Sequence, residues 1–206
     1  SISNDGTIEV TATVEGSASS SSNANVYASA YGIYAGMGAG GSISNEGSIE
    51  VTATATAEGS EADAYVYAYG IYASYIGNGV SISNDGTIEV TATLEGPASG
   101  SSLAYANAYG IYAEYMGTEG EGSSISNDGT IEVTATAEGS DADAYVYGID
   151  APGMGNGGEG GSISNDGTIE VTATVEGSAT AVDANVYAKA YGILAPSMGE
   201  DGTISN

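Results

Sequence analysis

Ser1-Ile2-Ser3-Asn4-Asp5-Gly6-Thr7-Ile8-Glu9-Val10-Thr11-Ala12-Thr13 opens the chain, and the same phrase restarts at Ser42, Ser81, Ser124 and Ser162, with a stub at Thr203. The steps between restarts are 41, 39, 43, 38 and 41 residues. A period in this range marks a solenoid, propeller or array. One such repeat cannot bury its own apolar face. The expectation is therefore one domain over 1–206, built of repeats 1–41, 42–80, 81–123, 124–161 and 162–202 with a stub at 203–206.

Each repeat has three parts. The first alternates strictly, with Ile8, Val10, Ala12 and Val14 on one side and Thr7, Glu9, Thr11, Thr13 and Glu15 on the other. That pattern is a half-buried strand. The second part alternates too: Ala64, Val66 and Ala68 oppose Tyr65, Tyr67 and Tyr69. Then Gly32, Gly70, Gly110, Gly148 and Gly192 break the period, each followed by Ile on the wrong parity. A Gly at such a break predicts a bulge or bend that returns the Ile to the core. The third part is a Gly-rich loop with one apolar residue before a Gly: Met37, Ile76, Met116, Met154 and Met198. These read as plugs at a corner of the core.

Gly, Thr, Ser and β-branched residues dominate, and no 3.6-residue stripe appears, so helix is disfavoured throughout. The fold expected is all-β: a parallel β-solenoid, a right-handed β-helix of about five coils of roughly 40 residues. A rival geometry puts two coils in each repeat. The Asn column favours one. Asn4, Asn45, Asn84, Asn127, Asn165 and Asn206 recur on the core-facing parity. Buried amides need partners, and amides stacked about 4.8 Å apart can bond to one another. Two coils per repeat would hold them roughly twice as far apart.

The elements Ile-x-Asn-x-Gly-Thr-Ile-x-Val, as in Ile2 to Val10, and Ala-Tyr-Gly-Ile-Tyr-Ala, as in Ala30 to Ala35, resemble repeats of bacterial autotransporter passengers and related filamentous surface proteins. The resemblance covers the whole chain. It implies a β-solenoid that is secreted and displayed outside the cell or on its surface.

The composition excludes much else. There are 27 acidic residues against one basic one, Lys189, for a net charge of −26. A chain with one cation has no basic patch, so no nucleic-acid partner is expected, and an anionic membrane surface repels it. No apolar run reaches the roughly 20 residues of a spanning helix. Cys and His are both absent, which removes disulfides, thiolate metal sites and the commonest general base. Asn-Asp-Gly-Thr-Ile imitates part of an EF-hand loop, but Ser1, Ser3 and Ala12 stand where ligands would be needed. Asp-Gly reads instead as a turn into a strand. The Gly-rich run 157–161 lacks the lysine and the strand–helix setting of a phosphate loop. A glycosidase pair should be a local exception to the repeat, whereas the acids mostly obey it. No catalytic residues and no required cofactor are expected.

Three columns carry the functional expectations. Tyr31, Tyr69, Tyr109, Tyr147 and Tyr191 hold one position in all five repeats, and Tyr27, Tyr65, Tyr105 and Tyr187 another, with Asp143 the exception. Outward Tyr stacks favour an interface between chains, with carbohydrate stacking as the lesser option. Thr11-Ala12-Thr13 and its four copies give two ranks of hydroxyls, as in ice-binding solenoids, against the plainer reading that Thr suits a strand. Acids recur as Asp5, Glu46, Asp85, Asp128 and Asp166, as Glu9, Glu50, Glu89, Glu132 and Glu170, and as Glu15, Glu58, Glu95, Glu138 and Glu176. Neighbouring carboxylates about 4.8 Å apart cost roughly 0.9 kcal/mol each in bulk water, and Ca²⁺ is the simplest ion to relieve that.

The chain begins at Ser1 without an initiator Met or a signal-peptide pattern, which reads as a processed form or a fragment. Ile2 at one end and Ile204 at the other would leave open edges that template a further copy. The expected partner is thus the chain itself, stacked head to tail as a homopolymer, in an extracellular fibre or adhesive surface layer. The alternative is a solenoid that binds ice through Thr or a glycan through Tyr.

Overall fold

The computed structural model describes residues 1–17, 24–58, 62–96, 103–117, 122–139, 141–155, 160–176 and 186–206. It is an all-β solenoid of three parallel sheets. The first, of six short strands, stacks Ile2–Asn4, Ser42–Asn45, Ser81–Asn84, Ser124–Asn127, Ser162–Asn165 and Thr203–Ser205. The second, of five, stacks Thr7–Ser17, Ser48–Glu58, Thr87–Glu95, Thr130–Glu138 and Thr168–Glu176. The third, also of five, stacks Ala24–Gly36, Ala62–Ser74, Leu103–Ala113, Asp141–Asp150 and Val186–Leu194.

Register settles the coil question. Ile2 pairs with Ile43, Ile82 with Ile125 and Ile163 with Ile204, so each repeat winds one coil. Equivalent residues therefore lie one strand spacing apart, and every column of the sequence becomes a physical stack. Alternation then does the sorting. In Ser48–Glu58 the Ile, Val and Ala residues are buried while Glu50, Thr52, Thr54 and Thr56 face outward. Buried Ile from all three sheets, such as Ile43, Ile49 and Ile71, joins Ala from the second and third sheets in one apolar cluster. Where only those two sheets oppose each other the inward residues are mostly Ala, which lets them lie close. Ile76, Met116 and Met154 are buried at the corner as plugs; Met37 and Met198, in the outer coils, are partly buried.

The glycine breaks have a steric cause. After Tyr69 the ladder skips Gly70 and resumes at Ile71, which is fully buried. A Cβ on Gly70 would overlap Ile88 Cγ2 and come within 2.6 Å of the Gly110 carbonyl oxygen. Only glycine lets the second-sheet Ile press against this strand.

One column differs from the sequence reading. The third acidic rank is broken, because Thr56-Ala57 lengthens its strand by two residues. Glu15 pairs with Thr56, and Glu58 pairs with Ser17. Only Glu95, Glu138 and Glu176 are consecutive. Of the Gly-rich run 157–161, residues 157–159 lie outside the described residues.

Candidate functional site

The Asn column lies inside the coil, between the first and second sheets. Asn4 Nδ2 donates to Asn45 Oδ1 at 2.7 Å, and the chain of amides continues through Asn84, Asn127 and Asn165 to Asn206 at 2.6–2.7 Å. From Asn4 to Asn165 each amide also reaches backbone carbonyls of the turn, as Asn45 Nδ2 does at Gly47 and Thr87. Asn45, Asn84 and Asn127 are fully buried. These amides hold the coils in register and offer nothing to an outside ligand.

The outer surface of the third sheet is aromatic. Tyr31, Tyr69, Tyr109, Tyr147 and Tyr191 form an unbroken stack with centroids 4.8–5.3 Å apart and planes within 8°. A second stack, Tyr34, Tyr72 and Tyr112, runs beside it with centroids 5.0 and 5.2 Å apart. The two meet edge to face, as between Tyr69 and Tyr72 at 5.0 Å. Sequence alternation misses this second stack because it lies beyond the glycine break, where the parity changes. Its signal is the Gly-Ile-Tyr phrase itself. Such aromatic pairs contribute roughly 0.5–1.5 kcal/mol each beyond burial. Burial raises the Tyr69 and Tyr109 phenols well above their ordinary range, and the neighbouring Tyr reinforce it. Tyr112 is pushed up to about 12, again mainly by burial. These three phenols therefore stay neutral at physiological pH.

Stacking also decides what the rings can offer. Each interior ring turns its two faces to its neighbours in the stack and its edge and hydroxyl outward. A sugar that needs a free ring face finds little purchase along the column. The exposed aromatic surface lies at the margin: Tyr34 is 65 % exposed and Tyr75 82 %. Tyr75 and Tyr115 take positive φ, 52° and 55°, at the corner after the strand. In the fourth coil Gly153 has the same conformation, φ 77°. A bulky side chain in that region is strained by about 1–2 kcal/mol, and strain of this kind concentrates at functional positions.

Asp150 takes the position of Tyr112 in the next coil, with Leu194 below it. It is 8 % exposed, and burial raises its carboxyl to about 6. The native state thus holds the proton longer than the unfolded chain does. Its contribution to stability is complete below about pH 4 and is lost as pH climbs through about 6. Asp150→Asn removes the titration. At pH 7.5 the variant should melt a few degrees above the wild type, and the gap should close by pH 4 in a calorimetric series. A gap that is constant with pH would contradict this.

The second sheet presents hydroxyls and carboxylates. Thr11, Thr52, Thr91, Thr134 and Thr172 stand in register, as do Thr13, Thr54, Thr93, Thr136 and Thr174. The Glu9, Glu50, Glu89, Glu132 and Glu170 rank is unbroken beside them. The Asp5, Glu46, Asp85, Asp128 and Asp166 rank follows the turns, whose N–H groups bond the coil before: Glu46 donates to Asn4 O and Asp85 to Asn45 O. Among the described residues no three acids converge as a metal site.

Comparisons with protein-family models, with curated proteins and with solved structures return no match. Among the described residues, no helix is long and apolar enough to cross a membrane.

Proposed function

We propose that this chain is a structural rod of an extracellular surface, a fibre or adhesive-layer subunit without catalytic activity, extended by stacking coil on coil. The observation that carries this is the give-and-take of each coil. Every interior Asn donates to the next coil and accepts from the one before, and the rings stack in the same way. A further coil of the same sequence, in a second copy, meets the same partners. At the two outer coils Ile2 is 36 % and Ile204 50 % exposed, and Ile169, Ile193 and Ile204 border an open cleft beside Asn165 and Asn206. The autotransporter-like phrases support display on a cell surface.

Two glycines supply the test. Nothing lies within 4 Å of a Cβ built on Gly6 or Gly192, whereas in the inner coils the same columns touch the adjacent coil. Gly6→Ala with Gly192→Ala should melt as the wild type does at dilutions where both are monomeric, and should abolish axial oligomers in sedimentation and electron microscopy. A wild type that stays monomeric at high concentration would overturn the stacking proposal.

The acid ranks set the conditions. Ca²⁺ bound along them should relieve like-charge repulsion and favour assembly. Melting should rise in millimolar Ca²⁺ over chelator at matched ionic strength; equal melting would refute the cation effect. A second reading, ice binding, is favoured by the in-register Thr ranks. It predicts thermal hysteresis that Thr91→Tyr and Thr134→Tyr abolish without unfolding, whereas a purely structural rod shows none.

A further inference from the structure

The outer Tyr column of Tyr27, Tyr65 and Tyr105 has a missing member. Its rings stack at 4.8 and 5.5 Å with planes within 8°. Asp143 comes next, in register with Tyr105 on one side and Tyr187 on the other. Those two rings are therefore rooted two strand spacings apart, about 9.6 Å. Among the described residues no ring contact joins them. Two stacking distances are the room that one further planar group needs.

The floor of this notch is a carboxylate with spare capacity. Asp143 Oδ2 accepts a hydrogen bond from the Tyr145 hydroxyl at 3.2 Å, while Oδ1 is buried and has no partner. A buried acceptor left unpaired is uncommon and calls for a donor. The surroundings already hold a cation against aromatic rings. Lys189 Nζ lies 5.4 Å from the Tyr145 centroid and 6.0 Å from that of Tyr187, yet it leaves Oδ1 unmet. Asp141 precedes on the same strand. Asp63, further along the sheet, accepts the Leu103 N–H at 3.0 Å. Burial, and then Asp143, Asp141 and Asp63, raises the Tyr105 phenol above its ordinary range, so this wall is a neutral ring in a negative field.

We propose that the Asp143 notch between Tyr105 and Tyr187 binds a guanidinium group, supplied by a free arginine derivative or by an arginine of a partner protein. A guanidinium is flat, permanently charged and weakly hydrated. It stacks on aromatic faces and presents N–H donors in its own plane. It can lie between the two rings and donate to Oδ1 as a charge-assisted bond. An ammonium is compact and strongly hydrated and does not fill a planar slot. A neutral urea of the same shape lacks the charge.

The test is a titration of the full chain with argininamide, lysinamide and citrullinamide, followed by NMR of the Tyr resonances at physiological salt. Argininamide should saturate, lysinamide should bind several-fold more weakly, and citrullinamide should not bind. Asp143→Asn keeps the shape and should weaken argininamide about tenfold. Asp143→Tyr completes the stack and should abolish saturable binding while melting no lower than the wild type. Glu132→Gln removes one charge from the second sheet and should change nothing, which separates the notch from general attraction to a polyanion. A Gly-Arg-Gly peptide that binds as argininamide does identifies a free guanidinium as sufficient; a tenfold tighter peptide points to a partner protein. Equal curves for wild type and Asp143→Asn, or equal affinity for lysinamide and argininamide, would overturn the proposal.

Discussion

Asn84→Asp is expected to unfold the middle of the rod at neutral pH and to be nearly harmless in acid. The change replaces one NH₂ by oxygen and leaves the shape intact. Asn84 Nδ2 donates to Asn127 Oδ1 at 2.7 Å and to the Gly86 and Thr130 carbonyls at 3.3 Å. All three partners are acceptors. The carboxylate oxygen that replaces Nδ2 would face three oxygens with no donor, in a fully buried position, while Oδ1 keeps the bond from Asn45 Nδ2 at 2.7 Å. An uncompensated buried charge costs about 3–5 kcal/mol, or roughly 10 °C in a chain of this size. Protonation restores one donor, so the introduced acid has a raised pKa in the native state. Its penalty is absent below about pH 4 and grows as pH rises through that raised value. Asn206→Asp is the control. Asn206 is exposed and, among the described residues, bonds through Oδ1 alone, as acceptor from Asn165 at 2.7 Å, a role a carboxylate keeps. Melting of both variants against wild type at pH 7 and pH 4.5 decides. Equal losses at the two positions would mean that the ladder is not the cause.

What the sequence makes legible is whatever depends on period alone. The restart of Ser-Ile-Ser-Asn dictates one coil per repeat, because parallel in-register stacking is the arrangement that puts every Asn beside another Asn. Alternation likewise places Ile8, Val10 and Ala12 inside and Thr11 and Thr13 outside. The failures lie where the period slips. Tyr34, Tyr72 and Tyr112 follow a glycine that resets parity, so counting by twos assigns them to no face. Glu58 looks equivalent to Glu15 and Glu95 by its neighbours, yet two inserted residues shift it along the strand to Ser17. Asp143 and Asp150 are readable as exceptions, but their consequences depend on burial and ring packing that no spacing rule contains.

The Asp-Gly dipeptide is the clearest case of a right residue read for an incomplete reason, and it carries the largest expected effect. Turn chemistry accounts for Asp-Gly in Asn84-Asp85-Gly86 without reference to other coils. Yet none of Gly6, Gly47, Gly86, Gly129 and Gly167 has a positive φ, so a left-handed turn does not demand glycine. The demand is axial. A Cβ on Gly86 would fall on the Gly47 carbonyl oxygen and lie 2.8 and 2.9 Å from the carbonyl carbon and oxygen of Glu46. All are backbone atoms with no rotamer to yield. Making room means parting two coils. That would break the Thr87 N–H bond to Gly47 O at 2.9 Å, the Asp85 bond to Asn45 O at 2.8 Å and the Asn45–Asn84 amide bond at 2.7 Å. Gly86→Ala should therefore cost upwards of about 4 kcal/mol, beyond ordinary overpacking. Melting should fall by well over 10 °C, and proteolysis should open the chain near residue 86. Gly6→Ala puts the same side chain into the same turn with nothing within 4 Å in the single chain, so its effect on the monomer should stay within about 0.5 kcal/mol. The pair separates the two explanations cleanly. A glycine needed for its own turn would fail at both positions alike, whereas a glycine needed by the coil before it fails only where that coil exists.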